Sequence, residues 1–80
     1  MWIRTGYQLI DVSGGILKLG NLSELMLNGK MGKSYYIIFE NRVGQEIKIL
    51  EFDNEKSQEE AFQKICSAMK NGETYCDLNN

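Results

Sequence analysis

The segment from Tyr35 to Gly72 constrains this chain more than any other part of it. An apolar hairpin, YYIIFENRVGQEIKILEF, runs directly into SQEEAFQKICSAMKNG, which has the punctuation of an amphipathic helix. Tyr35–Glu40 is rich in aromatic and β-branched residues and carries apolar side chains on both faces, Tyr35, Ile37 and Phe39 on one and Tyr36 and Ile38 on the other. Asn41 to Gly44 supplies a short hairpin loop with a glycine suited to a left-handed position. The returning strand, Gln45–Phe52, changes phase. Ile47 and Ile49 fall on one face and Leu50 and Phe52 on the other, so the pattern predicts a bulge or bend near Ile49-Leu50.

The helix follows from three signals. Ser57 with Glu60 matches a capping box, Glu59 and Glu60 suit the positive end of a helix, and Lys70 followed by Asn71-Gly72 supplies the stop. Ala61, Phe62, Ile65, Cys66 and Met69 form one apolar stripe at three-and-four spacing. A helix of this length is marginal alone in water, so the stripe must be buried on a sheet.

Upstream, Trp2–Arg4 and Tyr7–Val12 read as strands broken at Gly6, Gly14-Gly15 as a turn, and Ile16–Leu19 as a further strand. Residues 22–27 suit either a short helix capped by Asn21 or a strand entering an Asn28-Gly29 turn, and the strand is adopted. The expected fold is therefore α+β, an antiparallel meander of four to five strands with one C-terminal helix packed on one face. One domain covers residues 1–74, and residues 75–80 form a tail from which Tyr75 is free to pack back on the core.

Composition excludes several chemistries. The chain has 80 residues, no histidine and no proline, and a net charge of −2. Without histidine it lacks the commonest general base and metal ligand, and Ser13, Ser23, Ser34, Ser57 and Ser67 have only lysine-type bases to activate them. Cys66 and Cys76 are too few for a zinc site or a disulfide framework. Cys66 lies on the apolar stripe and reads as a small hydrophobe, and Cys76 in the tail reads as a bystander thiol, with an exposed, reactive thiol as the alternative. No cofactor and no metal is expected. No apolar run has the length of a signal or a membrane span, which predicts a cytoplasmic protein without membrane partners.

Two local patterns imitate ligand loops. Residues 29–34 end in Gly-Lys-Ser, but a phosphate loop needs glycine where Leu27 stands and a helix after Ser34, where an apolar strand follows. A solvated loop with two lysines is expected instead. Residues 53–64 resemble a calcium loop but place Gln58 at the turn glycine and Lys64 at the final glutamate, so they read as a polar connection with helix-capping acids.

Basic residues concentrate in the first part of the chain. Residues 1–50 hold six basic and four acidic side chains, and residues 51–80 hold three and seven. Lys30, Lys33, Arg42 and Lys48 are the candidate nucleic-acid contacts, although the net negative charge opposes that use. The apolar excess of the hairpin is the stronger clue. With a helix on one sheet face, Tyr36, Ile38, Leu50 and Phe52 are left as a candidate interface for a protein partner or for a homodimer.

The opening Met-Trp-Ile-Arg, the strand Tyr-Tyr-Ile-Ile-Phe-Glu, the strand Ile-Leu-Glu-Phe-Asp and the helix start Ser-Gln-Glu-Glu-Ala-Phe-Gln-Lys-Ile together resemble a group of small proteins. These belong to low-GC Gram-positive bacteria and their phages, begin Met-Tyr/Trp-Ile-Arg, and place several strands before a glutamate-rich C-terminal helix. The resemblance covers residues 1–4 and 35–70. It implies a compact strands-then-helix fold and a bacterial or phage source, and it carries no catalytic residue. The resulting expectation is a non-enzymatic interaction or regulatory module, with weak nucleic-acid binding as the alternative.

Overall fold

In the computed structural model, residues 1–6 and 8–78 are described. Strands β1 (Trp2–Thr5), β2 (Gln8–Asp11), β3 (Ile16–Leu25), β4 (Met31–Glu40) and β5 (Glu46–Phe52) precede helix α1 (Glu55–Lys70), and β6 (Tyr75–Asp77) follows it. The chain is α+β, with the strands divided between two three-stranded sheets rather than joined in one meander. Tyr7, expected at the start of the second strand, lies outside the described residues.

The first sheet has the order β2-β1-β6, with β1 antiparallel to β2 and parallel to β6. The expected C-terminal tail is therefore partly a strand. Cys76, flanked by Tyr75 and Asp77, faces inward beside Ile3 and is buried, because the free side of β1 offers a ladder that the returning chain completes. Trp2 N–H donates to Thr74 C=O at 2.8 Å, and Leu78 N–H donates to Arg4 C=O at 3.0 Å, extending that ladder at both ends.

The second sheet, β3-β4-β5, is wholly antiparallel. Its β3–β4 register runs unbroken over ten pairs, from Ile16–Glu40 to Leu25–Met31. The strand reading of residues 22–27 holds as far as Leu25; Met26 leaves the strand and Leu27 joins Asn28 and Gly29 in the turn. Lys33 and Ser34 lie inside β4, not in the solvated loop that the Gly-Lys-Ser pattern suggested. The tight Asn28-Gly29 turn lets pairing begin at once on both sides.

In β5 the phase slip is a bulge. Leu50 pairs with Ile37 and Lys48 with Ile38, leaving Ile49 as the extra residue. The bulge turns Ile49 and Leu50 toward the same side, where Ile49 is buried and Leu50 packs against the core.

The helix begins three residues earlier than the Ser57–Glu60 pattern predicts. Asn54 is the N-cap, and its Oδ1 accepts from Ser57 N–H at 2.8 Å. Asparagine caps at least as well as serine, and Glu55 and Lys56 are good helix formers, so the first turn starts as soon as a cap is available. The stop is as expected. Gly72, at φ +73°, lets its own N–H reach Met69 C=O and Glu73 N–H reach Ala68 C=O.

A single core joins the three layers. Ile3, Val12, Ile37, Phe39, Ile49, Ile65, Ala68 and Cys76 are buried together, drawn from both sheets and the helix. Fully burying Ile3, Ile37 and Ile65 contributes about 1.5–3 kcal/mol each.

Candidate functional site

The four residues of the expected interface do not form one surface. Cross-strand partners share a face, so Leu50 opposite Ile37 and Phe52 opposite Tyr35 both lie on the helix-covered side and pack against the core. Tyr36 and Ile38 lie on the outer side. The bulge at Ile49 is the reason, because it moves Leu50 and Phe52 to the face opposite the one that simple alternation assigns.

The outer face is then dressed by its own neighbours. Ile38 stands between Lys18 on β3 and Lys48 on β5, and it folds across Gly20, where a Cβ would lie 2.5 Å from Ile38 Cδ1. Lys48 Nζ sits 4.5 Å from the centre of the Tyr36 ring. Lys18 is paired with both Glu46 and Glu40, the latter at 3.2 Å. Hydrogen bonding first to Glu46 and then to Glu40 holds its ammonium pKa above the ordinary value. Tyr36 and Ile38 end half-buried under lysine stems rather than as a bare patch.

The four cations are scattered. Lys30 is at the β3–β4 turn and Arg42 is beyond the other end of β4, ten strand residues away or about 33 Å at the usual rise. Arg42 is turned onto the Gly14 carbonyl, with Nε donating at 3.2 Å. Lys33 and Lys48 occupy opposite faces of the sheet, Lys33 lying 5.5 Å from the Tyr35 ring centre. Two shallow grooves exist elsewhere, one lined by Phe52, Ala61, Lys64 and Leu78 and the other by Arg4, Leu9 and Tyr75. Among the described residues no group of three or more Cys, Asp or Glu is placed to hold a metal.

What stands out is the far half of the β3–β4 hairpin. The helix reaches the row of Gly20 and Tyr36, where Gln58, itself buried, donates from Nε2 to both carbonyls at 3.0 and 2.9 Å. β5 ends at the next row, Phe52 with Tyr35. From Leu22–Ser34 to Leu25–Met31 the hairpin is a bare two-stranded arm. The radius of gyration is 13.7 Å and the extents are 45 × 30 × 22 Å, against about 12 Å for a compact domain of this length. On this arm Leu22, Leu25, Met26, Leu27 and Met31 are all exposed, Leu25 by 73% and Leu27 fully.

The arm also leaves a backbone edge open. Met26 N–H donates to Lys30 C=O at 2.7 Å, which makes that pair a hydrogen-bonded one. In an antiparallel ladder such pairs alternate, so Gly20, Leu22 and Glu24 direct their amides at β4. Leu17, Leu19, Asn21, Ser23 and Leu25 direct theirs outward, on the edge of the sheet that no strand among the described residues occupies. A hint was available in the sequence, since Leu-Met-Leu and Met31 flank Asn28-Gly29 with no apolar stretch left to cover them.

No family model, curated protein or solved structure matches the chain significantly.

Proposed function

We propose that this chain is a non-enzymatic protein-interaction or regulatory module of a bacterium or phage, acting in the cytoplasm, and that the β3–β4 arm is its working element. The observation that carries the proposal is the exposure of Leu22, Leu25, Met26, Leu27 and Met31 on a segment that covers no part of the core. Leu25 and Met31 share one face of the arm, Leu22 and Met26 the other, and Leu27 stands at the turn, so apolar side chains surround its tip. Exposed apolar surface carried on a protruding element is the usual form of a contact site. Two free thiols, Cys66 and Cys76, suit a reducing compartment.

The test compares the native chain with a variant carrying Leu25→Ser, Leu27→Ser and Met31→Ser, both immobilised and exposed to the same bacterial extract. Capture of at least one protein should fall about tenfold or more in the variant, matching a loss of roughly 1.4 kcal/mol. Equal capture by the two forms, each shown to be folded by circular dichroism, would overturn the assignment of the arm.

A further inference from the structure

The edge of β3 lies open at the side of the second sheet. Natural sheets protect exposed edges with proline, bulges, inward charges or brevity. β3 has none of these, being ten residues long, free of proline and unbroken in register, and its lysine side chain is turned to the outer face rather than along the edge. Among the described residues, β4 is the element packed extensively against it. Its distal part is a two-stranded ribbon, a structure that is marginal in water without a third strand. We propose that the β3 edge pairs antiparallel with β3 of a second copy, about a two-fold axis at Asn21. This deepens the reading of the arm as an interaction element and names its partner.

The register follows from the strand itself. Two strands meeting edge to edge must oppose residues whose amides both point outward, so the axis falls on a residue and not between residues. Lys18 and Glu24 are the only charged residues of β3, and they stand symmetrically about Asn21. An axis there places Glu24 of the second copy in the row of Lys18, whose ammonium is already held by Glu40 and Glu46 of its own chain, so that opposite charges meet in that row, twice over. It also sets Leu17 against Leu25 of the second copy, so an exposed arm leucine covers a half-buried one beside Phe39. Moving the axis to Gly20 or Leu22 puts Lys18 against Leu22 or Met26 and loses both charge matches. The product is a continuous six-stranded sheet in which each arm gains a third strand, and an isologous contact of this kind closes at two copies.

Sedimentation over a concentration series, together with cysteine pairing, tests it. The native chain should pass from one to two chain masses as concentration rises. The Asn21→Cys variant, mildly oxidised with the native cysteines in place, should give a 21-to-21 linked peptide by mass spectrometry, because opposed Cα atoms in such a pair lie about 5.5 Å apart, within disulfide reach. Leu27→Cys should give no such link, its two copies being about 40 Å apart in this register. The Asn21→Pro variant loses only outward-facing donors and should weaken association about tenfold or more while its circular dichroism is unchanged. A monomer at all concentrations would overturn the second copy as occupant and leave the arm open to a different protein. A dimer linked through Leu27→Cys instead would overturn edge pairing while retaining the arm as the contact.

Discussion

Gln58 holds the carbonyl of Tyr36 from across the helix–sheet interface, its Nε2 donating at 2.9 Å and also reaching the Gly20 carbonyl at 3.0 Å. This contact marks the row at which the helix stops covering the β3–β4 pair. On one side of it the hairpin is core, and on the other it is arm. Gln58→Ala should destabilise the fold by about 1–3 kcal/mol, since a buried site that was polar and filled becomes neither. Urea denaturation read by circular dichroism checks this.

Ile47 and Ile49 offer a sharper contrast. They are the same residue type two positions apart in one strand, yet Ile47 is 49% exposed and Ile49 is 5% exposed at the bulge. Ile49→Ala should cost about 2–4 kcal/mol and Ile47→Ala less than about 1 kcal/mol. Equal costs in denaturant titrations would mean that the bulge does not place Ile49 in the core.

The two thiols should react at different rates. Cys76 is 5% exposed, and burial pushes its thiol pKa above the ordinary value, with nearby Lys64 opposing the shift. Cys66 is only partly buried. In a native titration with an aromatic disulfide reagent Cys66 should modify first, and Cys76 should follow only as the chain opens. Simultaneous modification would place Cys76 at the surface, as a free tail would.

Stability should fall at both ends of the pH scale for nameable reasons. Asp11 is held below its ordinary 3.8 by hydrogen bonds from Ser13, so its contribution is present above that value and is lost as pH falls through the lower folded value. Lys18 is raised above 10.5 by Glu46 and Glu40, and its contribution is lost as pH rises past that range. Cys76, raised above 9.0 by desolvation, favours the folded form only while protonated, so its effect begins to fade near pH 9. Thermal melts across pH should therefore decline on the alkaline side from about pH 9. Ser13→Ala, which removes the side-chain hydrogen bond that lowers Asp11, should make the acid-side decline shallower.

Local patterns survived the passage from sequence to structure where they were strong and short-range. The Gly72 stop, the Asn41–Gly44 loop and the Ile49-Leu50 bulge are all present, each set by residues within a few positions of one another. Misassignments arose where distance mattered. Nothing near Cys76 reveals that it will sit beside Ile3 on a parallel ladder, because that pairing joins the two ends of the chain. The expected interface of Tyr36, Ile38, Leu50 and Phe52 is split between two faces for a related reason. The phase change within Gln45–Phe52 signals the bulge, but its effect on which face receives Leu50 and Phe52 depends on the β4 register, which one strand alone does not specify. The arm was hidden because its apolar residues look like ordinary strand until the end of β5 shows that nothing covers them.

Amide exchange along β3 at increasing protein concentration tests the central claim most directly. Lys18, Gly20 and Leu22 direct their amides to β4 and should be protected at every concentration. Leu19, Asn21 and Ser23 should exchange quickly in dilute solution and become protected as concentration rises, in step with dimer formation. Fast exchange of those three at all concentrations would contradict the claim that this edge is where a second copy binds.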